Sequence, residues 1–221
     1  MFVGHYGPSF LAKRLEPAIP LWVLFVAVQF LDVLWGIFVL AGVERVRIVP
    51  GFTKTNPLDL YYMPYTHSLP GALVWSFLAG VGYRVFTRSK RGGLLVGVAV
   101  FSHWPLDLLV HKPDLALYDD TAKLGLGLWD YPLVTLVVES VLALGALALY
   151  MARTHPLKRS ARYAMPLFIG AVLVLQSAMA FAPPPPSDNA MAATALASYA
   201  LLAAAIAWLE KGRGSGVRLG S

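Results

Sequence analysis

Six apolar runs divide the 221-residue chain, and each is long enough to cross the hydrocarbon core of a membrane as a helix. At 1.5 Å per residue, about 20 residues span the roughly 30 Å of that core. The chain is 57% hydrophobic and only 14% charged, whereas a soluble domain carries about 25% charged residues. The sequence therefore predicts an all-α integral membrane protein, with a single helical bundle formed by the whole chain, residues 1–221. The expected spans lie near 20–42, 61–86, 92–111, 131–152, 164–182 and 189–210.

Residues 1–19 precede the first run, and we expect them to form a short amphipathic or re-entrant segment. Lys and Arg concentrate in the second and fourth connections and near the C-terminus. The positive-inside rule then predicts a multi-pass protein of the cell (inner) membrane with both termini in the cytoplasm. Arg45, Arg47 and Lys54 in the first connection oppose this orientation, and they either grip a phosphate or are simply solvated. Membrane topology also accounts for the net charge of +6, so we expect no nucleic acid as a partner.

The third run ends in a motif that a bilayer does not tolerate without compensation. His103, Asp107 and His111 are spaced i, i+4, i+8, so a helix places them on one face. Two imidazoles and a carboxylate on one face are suitable ligands for a divalent metal ion. The chain has no cysteine, so any metal must be held by nitrogen and oxygen atoms.

Three other runs carry ionisable residues at a similar depth, namely Asp32, His67 and Glu139. Counting from the cytoplasmic ends places them, like His103 and Asp107, roughly 18–25 Å into the membrane, which is its outer half. Three unpaired carboxylates there would cost about 8–10 kcal/mol. One or two divalent ions would offset that charge, so the sequence predicts a metal site where these helices converge.

Each of these residues, taken alone, also has a purely structural explanation. His103 and Asp107 are also consistent with a hydrogen-bonded pair beside a kink at Pro105. Asp32 or Glu139 alone would more often be a protonated hydrogen-bond donor between helices. His111 is a possible ligand or a solvated loop residue. The last two runs carry no ionisable side chain in their interiors, which is typical of a packing scaffold.

Several segments together resemble a bacterial family labelled as membrane-bound metal-dependent hydrolases. They are Met1–Tyr6 (MFVGHY), Gln29–Asp32 (QFLD), Asn56–Asp59 (NPLD), Pro64–Leu69 (PYTHSL), Ser102–Asp114 (SHWPLDLLVHKPD), Gly125–Trp129 (GLGLW) and the later Glu139. The order His, Asp, His, His-x-x-x-Asp, Glu is also distantly similar to zinc-dependent phospholipase C and related nucleases. The similarity covers nearly the whole chain.

This resemblance implies a metal centre that activates water against a phosphoester, with zinc as the metal. It implies His5, Asp32, His67, His103 and Asp107 as ligands and Glu139 as a further ligand or base. Several additional histidines of the phospholipase group are absent here, which favours one or two ions over three. His5 reaches such a site only if residues 1–8 fold back between the helices, as buried re-entrant backbone can.

Three functions follow from these residues. The first is a hydrolase of a lipid or another amphiphile, in which Asp107 bridges metals or orients His103, and Glu139 transfers protons. Manganese, iron or magnesium are alternatives to zinc in that site. The second is a transporter or channel for cations or protons, since intramembrane carboxylates and histidines also mark ion pathways. The third is a membrane scaffold whose polar cluster only holds helices together.

Overall fold

Helices make up most of the chain in the computed structural model, which describes residues 2–179 and 181–215. Within these residues the helices are α1 (Tyr6–Leu15), α2 (Leu21–Val28), α3 (Phe30–Leu40), α4 (Leu69–Thr87), α5 (Lys90–Phe101), α6 (His103–Val110), α7 (Pro132–Met151), α8 (Ala161–Met179) and α9 (Asp188–Glu210). Short 3₁₀ turns precede α1 and α7, at Val3–His5 and Leu128–Asp130. The prediction of a mainly helical chain is confirmed.

Five helices in the described residues are long and apolar enough to cross a membrane, counting α5 and α6 together. A sixth crossing is possible if α2 and α3 form one span, bent by 56° at Gln29. The expected number of about six spans agrees with the upper of these two counts, and the helix of the second expected span begins later than its apolar run. It was expected over 61–86, whereas α4 begins at Leu69, after Ser68 accepts a hydrogen bond from the Gly71 amide at 3.1 Å. This serine is the N-cap of the helix, and Pro70 follows in its first turn.

Strands occupy the connections, which the all-α prediction did not include. Three antiparallel two-stranded sheets pair β1 (Arg45–Ile48) with β2 (Leu58–Tyr62), β3 (Leu115–Tyr118) with β4 (Thr121–Leu124), and β5 (Thr154–Pro156) with β6 (Arg213–Ser215). Arg47 on β1 pairs with Asp59 on β2 at 2.6 Å. This cross-strand ion pair neutralises one of the three basic residues that opposed the predicted orientation.

The first and third connections meet at one end of the bundle. Thr55 in the first connection donates a hydrogen bond to the Trp129 carbonyl in the third at 3.0 Å. At the other end, Lys13 of the N-terminal segment pairs with Glu210 at the end of α9 at 2.5 Å. Arg91 at the start of α5 donates to the Leu15 carbonyl at 2.6 Å. The predicted topology, including which end faces the cytoplasm, stays a prediction.

The N-terminal segment inserts among the helices instead of lying along their surface. Val3, Gly4 and His5 are buried, and α1 packs between α2 and α7. Gly7 permits this approach, because a Cβ atom there would lie 2.8 Å from the Leu142 carbonyl oxygen of α7. Residues 1–19 are expected to form either an amphipathic or a re-entrant segment. The described part has the buried arrangement that a re-entrant segment requires.

Candidate metal centre

The buried N-terminal turn places His5 in the interior of the bundle. The Phe2 and Gly4 amides donate to Glu139 Oε2 on α7 at 3.2 and 3.0 Å. The Val3 amide donates to Gln176 Oε1 on α8 at 3.0 Å. A carboxylate and an amide oxygen thus satisfy three backbone donors that begin a helix and have no partner within it. His5 is completely buried as a result.

His103 is oriented by the break between α2 and α3. Its Nδ1 atom lies 2.7 Å from the carbonyl oxygen of Val28, the last residue of α2. A carbonyl oxygen only accepts, so the proton of the neutral ring is on Nδ1. Nε2 therefore carries the lone pair, and it lies 3.4 Å from Asp32 Oδ1 and 2.9 Å from Asp107 Oδ2.

His67 is oriented by a chain of two polar side chains. Its Nδ1 atom lies 2.7 Å from Thr66 Oγ1, and the Thr66 hydroxyl lies 2.7 Å from Glu44 Oε2. Because the hydroxyl donates its one proton to the carboxylate, it accepts the Nδ1 proton of His67. Burial raises the pKa of Glu44, and hydrogen bonds from the amides of Tyr65 and Thr66 oppose that rise.

Asp107 lies at the middle of the cluster, with its two oxygens facing different imidazoles. Oδ1 lies 3.0 Å from His5 Nε2, and Oδ2 lies 2.9 Å from His103 Nε2 and 3.6 Å from His67 Nε2. Asp32 Oδ1 completes the arrangement at 3.3 Å from His67 Nε2. The structure thus brings together five of the residues that the sequence singled out.

These residues form two overlapping groups that could hold a metal ion. One is His5, His103 and Asp107, and the other is Asp32, His67 and His103. Within each group the ligand atoms lie within 4.8 Å of one another. Among the described residues, His5 Nδ1 and His103 Nε2 are buried and have no hydrogen-bond partner, which is costly unless something else binds them. Nitrogen and carboxylate donors of this kind fit zinc, manganese or iron.

His111 and Glu139 lie next to these two groups but belong to neither. His111 is buried, its ring packs on Trp129 at 4.3 Å, and its Nδ1 atom lies 2.8 Å from Asp114 Oδ1. It is therefore not the solvated loop residue of the alternative interpretation. Its Nε2 atom lies 3.7 Å from Asp107 Oδ1. The described contacts of Glu139 are the two N-terminal amides, so its role as ligand or base stays a prediction.

Sequence reasoning missed Tyr199, which comes from a helix interpreted as scaffold. Its hydroxyl donates to Asp32 Oδ2 at 2.8 Å, on the side of the carboxylate away from the imidazoles. A single phenol in the alanine-rich sequence of α9 was the available signal, because polar groups inside membrane helices are seldom without a role. Gln176 on α8, which holds Val3, was likewise assigned to packing alone.

A cavity of about 490 Å³ adjoins the cluster. Asp32, His67, Asp107, His111 and Glu139 lie in its wall. Its volume is within the range of small-molecule sites, roughly 300–1,000 Å³. Arg45, Arg47 and Lys54 are not among the described residues that line it. The basic residues of the first connection therefore do not provide a phosphate grip at this site.

The fold and this cluster define a helical protein with five or six membrane-length helices and a buried His/Asp group able to hold a metal ion. Comparisons of the chain with protein-family models, with curated proteins and with solved structures find no match. The resemblance to membrane-bound metal-dependent hydrolases accordingly remains a prediction.

Proposed function

We propose that this protein is a membrane-embedded, metal-dependent hydrolase that cleaves a phosphoester in a lipid or another amphiphile. The observation that carries the proposal is the buried convergence of His5, Asp32, His67, His103 and Asp107 beside a cavity. Fixed ring orientations add support, since the Nε2 atoms of His67 and His103 carry lone pairs that face the carboxylates. The phosphoester as the cleaved bond is what the resemblance of this residue order to zinc-dependent phospholipase C implies.

His5, Asp32, His67, His103 and Asp107 would hold one or two divalent ions, with zinc preferred and manganese, iron or magnesium as alternatives. Such an ion supplies Lewis-acid chemistry, because it lowers the pKa of a coordinated water toward neutrality. Asp107 would hold such an ion together with His5 and His103, since its two oxygens face these two imidazoles.

The other residues of the chain orient these ligands and exclude water from them. Val28, Thr66 and Tyr199 hold His103, His67 and Asp32 in place through one hydrogen bond each. We assign proton transfer to Glu139, which lies in the cavity wall and holds the N-terminal turn with the same carboxylate. In the predicted topology the cavity opens in the outer half of the membrane, so the substrate comes from the outer leaflet.

The test is elemental analysis of the detergent-purified protein, followed by a hydrolysis assay with bis(p-nitrophenyl) phosphate and with phospholipid. We expect stoichiometric divalent metal in the wild type and loss of both metal and activity in His103→Ala, because that side chain belongs to both ligand groups. His155→Ala, in the β5 strand at the other end of the bundle, is the matched control and should retain both. A wild-type protein that holds no metal, even after incubation with zinc or manganese, would overturn the proposal.

A further inference from the structure

The cavity wall is apolar beyond the metal centre. Trp35 of α3 and Leu136 of α7 lie in it, and so do Met63, Met179 and Met191. These are three of the six methionines in the chain. Methionine is flexible and polarizable, so it adapts to apolar ligands of irregular shape. The composition of this wall suits a hydrocarbon chain.

The hydroxyl groups in the wall have no proton left to donate to a ligand. The hydroxyls of Thr55, Thr135, Ser177, Thr194 and Ser198 each donate to a backbone carbonyl at 2.5–3.0 Å. A hydroxyl has one proton to donate, so these five groups cannot also donate to a ligand. These hydroxyls therefore make the wall less polar toward a ligand than the residue types alone suggest.

Charge is confined to one end of the cavity. Asp32, Asp107 and Glu139 are its carboxylates, and they lie at or beside the metal centre. Among the described lining residues there is no Lys or Arg. A ligand that fills the cavity therefore has its polar group at the centre and an uncharged remainder, because an unpaired charge in an apolar wall is costly.

The rim of the cavity is formed by exposed apolar side chains. Leu133 at the start of α7 is 74% exposed, and Met179 at the end of α8 is 55% exposed. Phe181, just beyond α8, is 92% exposed. Because α7 and α8 are both of membrane-spanning length and composition, such a rim meets lipid more favourably than water.

We infer that this cavity binds one hydrocarbon chain of a bilayer lipid, which enters sideways between the ends of α7 and α8. The chain lies against Trp35, Met63 and Leu136, and the headgroup lies at the metal centre. Placement of the headgroup rests on the proposed function, whereas chain binding does not require a metal or any hydrolysis.

Photolabelling tests chain binding directly. The probe is phosphatidylglycerol with a diazirine within one acyl chain, incorporated into vesicles that contain the full protein. We expect labelled peptides to include Trp35 and Met63, each of which is 4% exposed and inaccessible to lipid outside the bundle. Labelling should persist after treatment with EDTA, so a failure of the metal-dependent function leaves this result unchanged. Absence of label from both residues would overturn the inference.

Two substitutions on the same helix provide a matched comparison. Leu136→Trp fills part of the cavity and should abolish labelling of Met63. Val141→Trp is placed on the lipid-exposed surface of α7, where Val141 is 66% exposed, and should leave that labelling unchanged. Equal labelling in the two variants would contradict a chain-binding cavity.

Competition gives a result that does not depend on how the variants fold. An excess of unlabelled phosphatidylglycerol should suppress labelling of Met63 in the wild type. Glycerophosphoglycerol, the same headgroup without acyl chains, should not suppress it. Suppression by the headgroup alone, or by neither compound, would show that the chain is not what the cavity recognises.

Discussion

At the scale of single residues, one hydrogen bond each orients the side chains of the cluster. His103 is fixed by a backbone carbonyl, His67 by a hydroxyl and Asp32 by a phenol. Partners of this kind leave the metal-facing atoms of the ligands free, and losing one typically lowers metal affinity by about 10- to 100-fold. Two of these partners lie far from their ligands in sequence, with Val28 75 residues from His103 and Tyr199 167 residues from Asp32, whereas Thr66 is adjacent to His67.

Tyr199→Phe tests whether the hydrogen-bond partner of a ligand affects metal affinity. The substitution removes the hydroxyl and keeps the ring, so Asp32 loses a partner while packing against Phe2 remains. We expect zinc affinity, measured by competition with a chromophoric chelator, to fall about 10- to 100-fold with little change in the thermal midpoint. Tyr163→Phe, at a position that is 57% exposed on α8, should leave the affinity unaltered. Equal affinities for the two variants would mean that the phenol serves packing alone.

At the scale of the helices, close contact between their backbones positions the residues of the site. His5 reaches the centre because α1 lies against α7, and Gly7 is the residue that allows this approach. Glycine also allows close contact between α4 and α5, where a Cβ atom at Gly93 would lie 2.6 Å from the Gly80 carbonyl oxygen. Small residues at helix contacts are typical of membrane proteins, in which packing replaces the hydrophobic effect.

Gly7→Ala should therefore disturb the metal centre without touching a ligand. The added methyl group meets the Leu142 carbonyl at 2.8 Å and moves the start of α1, together with His5, away from α7. We expect lower metal content and a lower thermal midpoint in purified protein. Gly145→Ala on α7, where no atom lies within 4 Å of the new Cβ, should behave as the wild type does. A Gly7→Ala protein with full metal content would disprove the dependence of His5 on this contact.

Residue spacing and depth were enough to predict part of this arrangement. A rise of 1.5 Å per residue placed Asp32, His67 and His103 at one level, and the structure brings them within a few ångströms. The strands were missed because they are only three to five residues long and lie in connections. The hydrogen bonds from Phe2 and Gly4 to Glu139 were missed because they join distant backbone and side-chain atoms, which no local pattern encodes.

At the scale of the whole molecule, the residues of the candidate metal centre come from separate parts of the chain. His5 precedes α1, Asp32 lies in α3, His67 precedes α4, and His103 and Asp107 lie in α6. An ion held by these residues would connect four segments that otherwise meet mainly through apolar packing. Binding to the folded state alone adds stability in proportion to the logarithm of the ligand concentration.

Metal removal should therefore lower the stability of the whole bundle. We expect EDTA to reduce the thermal midpoint of the wild type, and added zinc to restore it in a concentration-dependent manner, with about 2.7 kcal/mol gained at 100 times the dissociation constant. Tryptophan fluorescence during a thermal scan in detergent measures both changes. Asp107→Asn, which replaces a carboxylate common to the contacts of His5, His67 and His103, should lose the response to zinc. A zinc response that persists in this variant would place the ion elsewhere.

The buried N-terminal turn also has a consequence for biosynthesis. Phe2 and Gly4 precede their partner Glu139 by 137 and 135 residues, and Val3 precedes its partner Gln176 by 173 residues. Residues 2–4 therefore cannot form these contacts until α7 and α8 have been synthesised. A chain that ends before α7 would therefore lack the Glu139 contacts that hold the turn containing His5 in the interior of the bundle.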